Sequence, residues 1–202
     1  RTTTKMRGVT ENTKDLVEAL YIELLDALNS HFQHTPYLLG GSPCIGDFGL
    51  LAPLYGHLAR DPHPAALMKK RAPRVYRWVE RMNRASQDAQ EYFNCDTDFF
   101  QKNEIPETLI AVLRVLSQDF VPETVASAKC LNLWLSEQNP KTGSPAVFQL
   151  GTSPLGNIEF QVRDRLIKAA IVPYRHFQLQ RIHQIFDEVE TKVQMQIKQM
   201  LE

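Results

Sequence analysis

Between Thr35 and Asp61 the chain reads TPYLLGGSPCIGDFGLLAPLYGHLARD, a turn, a helix start and an apolar helix in one run. Tyr37-Leu38-Leu39 is apolar, Gly40-Gly41 punctuates a turn, and Ser42-Pro43 leads into the helix. Cys44 falls at the N-cap and Asp47 three residues on, the spacing of a capping box in which the acid reaches back to the N-cap amide. A thiol accepts hydrogen bonds poorly, so this cap is expected to be weaker than a Ser or Thr cap by on the order of 1 kcal/mol. Asp47 also suits the positive end of the helix dipole. Such a box folds a helix without touching a ligand. The alternative for Cys44 is a reactive thiol, since helix N-termini lower thiol pKa values, but no histidine or second cysteine lies near it in sequence. Phe48, Leu50, Leu51, Ala52, Leu54, Tyr55 and Leu58 then make the helix, expected over 45–59, apolar all round. That is the pattern of a core helix with others packed about it. Pro53 inside it predicts a kink. Gly56 either lets another backbone approach or makes room for a ligand, the former being the plainer reading.

Helices are predicted on both sides of this run. One spans about 13–32, with Leu16, Leu20, Leu24, Leu28 and Phe32 at four-residue steps. After the break Asp61-Pro62-His63-Pro64 come a short helix over 65–71 and another opened by Pro73, carrying Val75, Trp78, Val79 and Met82 inward. The basic residues Lys69, Lys70, Arg71, Arg74 and Arg77, mixed with acids, read as a solvated face. Residues 86–104 are polar and irregular, a candidate linker or loop. Asp96 and Asp98 have the alternation of a calcium loop but lack its glycine and closing glutamate, so calcium is rejected. Two Pro-Glu pairs predict two helices, 106–120 and 122–137. The period then changes to short strands at 146–150, 157–162 and 166–172 around a Gly-Thr-Ser-Pro-Leu-Gly turn, and a last long helix spans 175–200 with a near-heptad apolar seam. The reading is a mainly α fold organised as a helical core over 1–93, a loop or linker over 94–104 and a helical extension with a β-hairpin over 105–202.

Composition excludes several classes. The 202 residues are 43% hydrophobic, and 23 basic residues balance 23 acidic ones. A neutral chain is not a generic nucleic-acid or acidic-membrane binder, and no apolar run is long enough to span a bilayer. Three cysteines without paired spacing suggest free thiols in a reducing compartment. The expected location is cytoplasmic, with mitochondrial as the alternative. The six histidines form no metal motif, and P-loop, GxGxxG and GxSxG signatures are lacking. No self-sufficient catalytic site is legible, and no metal is expected.

The Thr35–Asp61 run resembles the C-terminal helical domain of cytosolic glutathione transferases, whose central helix follows a YLLG…PS-x-x-D start. It is similar to a bacterial-type branch reading LLGG-P-GDFGL-PLY-HL-RDP, whose extension continues into a Pro-Tyr to Gln-Arg segment like Pro173-Tyr174 to Gln180-Arg181 here. Cys44 departs from the usual Ser or Thr. The resemblance implies a glutathione-transferase C-terminal-like helical bundle, with the hairpin and a long C-terminal helix added. It also implies glutathione as co-substrate, held by a thioredoxin-like domain whose strand pattern is not found in residues 1–140. The chain beginning at Arg1 is therefore expected to be part of a longer protein or to act with a partner protein.

In that family the helical domain supplies the apolar wall for a small hydrophobic electrophile. The candidate substrate contacts are Tyr55, Arg60 and Tyr174, each joining an apolar body to a polar tip near a helix end. The plainer alternatives are a core role for Tyr55 and pairing of Arg60 with Asp61 or a helix C-terminus. Two functions stand side by side: the substrate-binding half of a glutathione S-transferase-like protein, and a non-catalytic transferase-like interaction module or accessory subunit. The chain alone is not expected to be catalytic, and a homodimer is possible on the family pattern.

Overall fold

A computed structural model describes residues 2–84, 91–93, 95, 98–101, 104–143 and 155–201. The fold is mainly α, with one two-stranded sheet among the described residues. Its contacts divide the chain into two units, residues 19–115 on one side and residues 1–18 with 116–202 on the other.

In the unit of residues 19–115 the core is built where helices α2 (Lys14–His31), α3 (Ile45–Pro53), α4 (Pro62–Arg71) and α5 (Pro73–Met82) bring their apolar faces together. Leu25, Leu28, Phe32, Leu54, Met68, Val75, Trp78 and Val79 are fully buried or nearly so. The Trp78 ring stacks on Phe32 with centroids 5.2 Å apart, an arrangement that adds to burial itself. The predicted α2 stripe is right in period, but the deepest positions are Leu25 and Leu28. Pro62 and Pro73 open α4 and α5 at their first turns, where a missing N–H costs nothing.

Gly40 holds the turn before α3. Its φ of +118° is unsuited to other residues, and a Cβ there would lie 2.8 Å from the Asp98 carbonyl oxygen. Main-chain bonds from Gly41 N–H to Asp98 O (2.9 Å) and from Phe100 N–H to Leu39 O (2.9 Å) fasten 98–100 to this turn. Part of the polar segment 86–104 is thus docked. Residues 86–90, 94, 96–97 and 102–103, with Asp96 of the rejected calcium loop among them, lie outside the described set.

The apolar helix differs from expectation. Only Asp47 is buried in α3, whereas Ile45 is 91% and Phe48 57% exposed. All-round hydrophobicity reports composition, not what covers it. The helix is also not one element: at Pro53 it passes into a π-helical turn, Leu54–Leu58, closed by Ala59 N–H to Leu54 O at 2.7 Å. Proline lacks an N–H and crowds the preceding turn, and the wider winding takes up that misfit where a kink was predicted.

The other unit contains α1 (Thr2–Met6), most of α6 (Glu107–Gln138), the strands β1 (Asn157–Val162) and β2 (Arg165–Ala170), and helices α7 (Pro173–Glu188) and α8 (Thr191–Leu201). Two predicted boundaries, within α6 and within the last helix, are corrected. The helices expected at 106–120 and 122–137 are one helix, α6, in which Pro122 sits internally and forfeits a single backbone bond. The hairpin turns at Arg163-Asp164, since Val162 pairs with Arg165 and Arg163 takes φ 54°. The strand at 146–150 and most of the 151–156 turn lie outside the described residues. The last helix is broken: Val189 is extended, and Gln194 Nε2 donates to Phe186 O (3.0 Å) and Val189 O (3.1 Å) across the break. Ile158, Phe160, Val162, Ile167 and Ala169 form the buried face of the hairpin, the alternation expected of a half-covered sheet. Among the described residues no helix is long and apolar enough to cross a membrane.

Candidate functional site

The site is assembled on α3 and its π turn, which have a locked side and an open side. On the locked side the Asp47 carboxylate is fully buried and receives three donors. Oδ2 accepts from Cys44 N–H at 2.9 Å, while Oδ1 accepts from Leu38 N–H at 3.2 Å and from Trp78 Nε1–H at 3.1 Å. Both halves of the capping box are therefore present: the Asp47 carboxylate takes the Cys44 N–H, and the Cys44 sulfur faces the Asp47 N–H, a weaker acceptor than a hydroxyl oxygen. Burial pushes the Cys44 thiol above its ordinary pKa, the opposite of what a reactive cysteine requires. Cys44→Ser, supplying a true acceptor worth about 1 kcal/mol, is expected to raise the melting temperature by about 2–4 °C. Thermal denaturation checks it; an unchanged or lower value means that packing of the sulfur outweighs the cap.

His31 extends the buried polar network. It is 1% exposed, with Nδ1 2.9 Å from Thr108 Oγ1 and Nε2 3.2 Å and 3.1 Å from the carbonyl oxygens of Tyr37 and Leu38. Carbonyls only accept, so Nε2 carries the proton, and Nδ1 accepts from the Thr108 hydroxyl. Burial holds the imidazole below its ordinary pKa, opposed by the two carbonyls and the nearby Asp47 charge. His31 and Asp47 thus grip the Tyr37-Leu38 turn from two sides.

The open side presents Ile45, Phe48, Ala52 and, at its end, half-buried Tyr55. Steps of three and four place them along one helical face. A Cβ added at Gly49 or Gly56 meets no atom within 4 Å, so no described backbone lies close against Gly56. The plainer reading of that glycine has no support among the described residues.

Tyr55 closes the stripe with a polar edge. Its hydroxyl accepts from Asn83 Nδ2 at 2.7 Å, and the Arg60 guanidinium lies 4.1 Å above its ring. Arg60 also meets Glu80 at 3.4 Å. Arg60 therefore pairs with Glu80 and the Tyr55 ring, not with the Asp61 side chain, and Tyr55 is half-buried at the edge and not in the core. The fold brings Tyr55 and Arg60 together, while Tyr174 belongs to the other unit, where its exposed ring lies 6.2 Å from Phe177. Sequence reasoning missed Asn83, Glu80, Trp78 and His31 as partners, because each acts at long range without a local motif. Among the described residues no group of His, Cys, Asp and Glu side chains is arranged to hold a metal ion.

Chemically, the arrangement is an apolar strip ending in an aromatic ring and a cation. It fits a molecule with a hydrophobic body and an electron-rich or anionic end, and it holds no nucleophile paired with a base. Comparison with protein families matches residues 11–81 to the model described as glutathione S-transferase, C-terminal domain. Searches of the curated proteins and of the solved structures find no match.

Proposed function

We propose, from a glutathione S-transferase C-terminal domain at residues 11–81, that this chain supplies the acceptor-binding half of a glutathione S-transferase-like protein. The observation that carries the reading is the open apolar face of α3, Ile45 and Phe48 above all, on a helix whose opposite side is locked by Asp47. In this reading the electrophile lies along Phe48 and Ala52 and its polar end meets Tyr55 and Arg60. Glutathione is held by a separate thioredoxin-like domain, and its thiolate forms a sulfur–carbon bond with the electrophile held against the strip, either expelling a leaving group with its bonding pair or adding across an activated double bond whose displaced electron pair takes a proton from water. The contribution of this chain is positioning and exclusion of water. A cytoplasmic setting accords with Cys44 and Cys130, which form no disulfide. The second reading, a transferase-like interaction module, draws on α7 and α8, neither of which has a buried residue.

The test is titration with 8-anilinonaphthalene-1-sulfonate, an aromatic body with an anionic end. Phe48→Ser removes apolar contact worth about 1–2 kcal/mol and is expected to weaken binding roughly fivefold to thirtyfold, and Arg60→Gln to weaken it by a smaller factor. Leu166→Ser, at an exposed leucine of the hairpin, leaves affinity unchanged. Equal affinity of wild type, Phe48→Ser and Arg60→Gln rejects the reading, with circular dichroism establishing that each variant is folded.

A further inference from the structure

Helix α5 carries Arg74, Arg77 and Arg81 at steps of three and four residues, along one side. Arg74 and Arg77 belong to a basic run that reads in sequence as a solvated face, yet the fold turns Arg77 and Arg81 onto a single carboxylate, Glu91. Arg77 grips Glu91 Oε1 through Nε (2.9 Å) and Nη2 (2.8 Å), and Arg81 Nη1 holds Oε2 at 2.9 Å. Arg81 is the inner wall of this cradle, its side chain 16% exposed against 64% for Arg77. Its Nη2 donates to Pro36 O at 2.6 Å, and its guanidinium lies 5.3 Å and 5.6 Å from the ring centres of Tyr37 and Tyr92. Tyr92 is itself tied down by its hydroxyl, which donates to Phe32 O. The guanidinium is thus held in place by the protein before any ligand arrives, which lowers the cost of binding one.

The cradle has more donors and more charge than Glu91 uses. Arg81 Nε–H is buried and meets no acceptor among the described residues, a costly state for a donor. Burial pushes the Tyr92 hydroxyl above its ordinary pKa, and the charges of Arg81 and Arg74 oppose that rise. Arg74 therefore acts on the same spot, and it is in no ion pair among the described residues. Two acids of the same unit, Glu80 and Asp26, are engaged elsewhere, with Arg60 and Arg71. A carboxylate offers two oxygens and one negative charge to these three arginines. A phosphoryl group offers three oxygens and about −1.5 to −2 charge near pH 7, and guanidinium forks hold it bidentately. It matches what Glu91 leaves over.

We propose that Arg77 and Arg81, with Arg74 beside them, form a binding site for a phosphoryl group, free or carried as a monoester, and that Glu91 occupies this site as an internal stand-in. Glu91 is exposed, so its carboxylate can move into water without unpacking the core. A ligand must compete with it, and binding to wild type is weak and reduced by salt. Glu80 and Asn83, which meet Arg60 and Tyr55, stand on another side of α5. The phosphoryl site therefore does not rest on the acceptor-binding reading of α3.

The test is ¹⁵N–¹H spectroscopy of the arginine Nε–H groups during titration with inorganic phosphate to about 50 mM, at an ionic strength held constant with chloride. The expected result is a saturable shift of the Arg77 and Arg81 signals with a millimolar Kd. Glu91→Gln removes the internal competitor and is expected to bind about tenfold more tightly, because the open site is more populated. Adding Arg77→Gln, at an exposed position outside the core, abolishes the saturable shift in that background. Lys70→Gln, at an exposed cation of α4, leaves affinity unchanged. A capped phosphoserine tripeptide separates the sources: tighter binding than inorganic phosphate assigns the site to a phosphorylated side chain, and equal or weaker binding assigns it to free phosphate. The absence of a saturable shift in Glu91→Gln overturns the proposal, as does a Glu91→Gln variant that binds no more tightly than wild type. Equal losses in Lys70→Gln and Arg77→Gln also overturn it, since they mean diffuse attraction by surface charge.

Discussion

Asp47→Ala is expected to cost about 4 kcal/mol or more of folding free energy, enough to unfold a marginally stable domain at room temperature. The carboxylate is fully buried and accepts from Cys44 N–H, Leu38 N–H and Trp78 Nε1–H. Deleting it strands three donors where water does not reach, at about 1–3 kcal/mol each, and leaves a small cavity beside Trp78. Asp47→Asn separates the two contributions. It keeps the volume and one acceptor oxygen but turns an amide donor toward a donor, so about half of the loss is expected. Urea denaturation followed by tryptophan fluorescence in a Trp134→Phe background, so that Trp78 alone reports, measures both. A cost below about 1 kcal/mol for the alanine variant would mean that the three bonds contribute little net stability and that Asp47 has another role.

The second large effect is at His31. His31→Ala removes the donor to the Tyr37 and Leu38 carbonyls and the acceptor for the Thr108 hydroxyl, and opens a cavity beside Phe32; about 2–4 kcal/mol is expected. The pH dependence has a definite sign. Burial holds the folded-state pKa of His31 below its ordinary value, so the unfolded chain binds the proton more tightly. Stability from this group is fully present above about pH 6.5, the unfolded value, and is lost as pH falls through the lower folded value, at about 1.4 kcal/mol per unit of depression. Wild type is therefore expected to lose stability between pH 7.5 and pH 5 by more than His31→Gln does. Parallel pH profiles of the two would contradict the assignment of a neutral, buried imidazole.

What was legible in the sequence was local. The Cys44–Asp47 box lies within four consecutive residues and is present, and Pro62 and Pro73 do open helices. Hydrogen bonds at long range leave no periodic trace. Trp78 reaches Asp47 from 31 residues away and Asn83 reaches Tyr55 from 28, so Asp47 read as a cap and not as the hub of the domain. The two Pro-Glu pairs looked alike, but only the first marks a helix start. Pro122 follows a helix already formed and gives up one bond within it. The strands 157–162 and 166–172 are legible from their alternation, while the turn between them at Arg163-Asp164 carries no glycine or asparagine to advertise its positive φ. An apolar helix was equally visible, but which side of it stays open depends on the partners of Asp47.

That open side is the centre of the account, and backbone amide shifts of the ¹⁵N-labelled chain titrated with 8-anilinonaphthalene-1-sulfonate test it most directly. The predicted result is a continuous set of perturbed amides at Ile45, Phe48, Ala52 and Tyr55, together with the Arg60 guanidinium. Perturbations gathered elsewhere, for instance on the hairpin strands, or none at saturating probe, would contradict it.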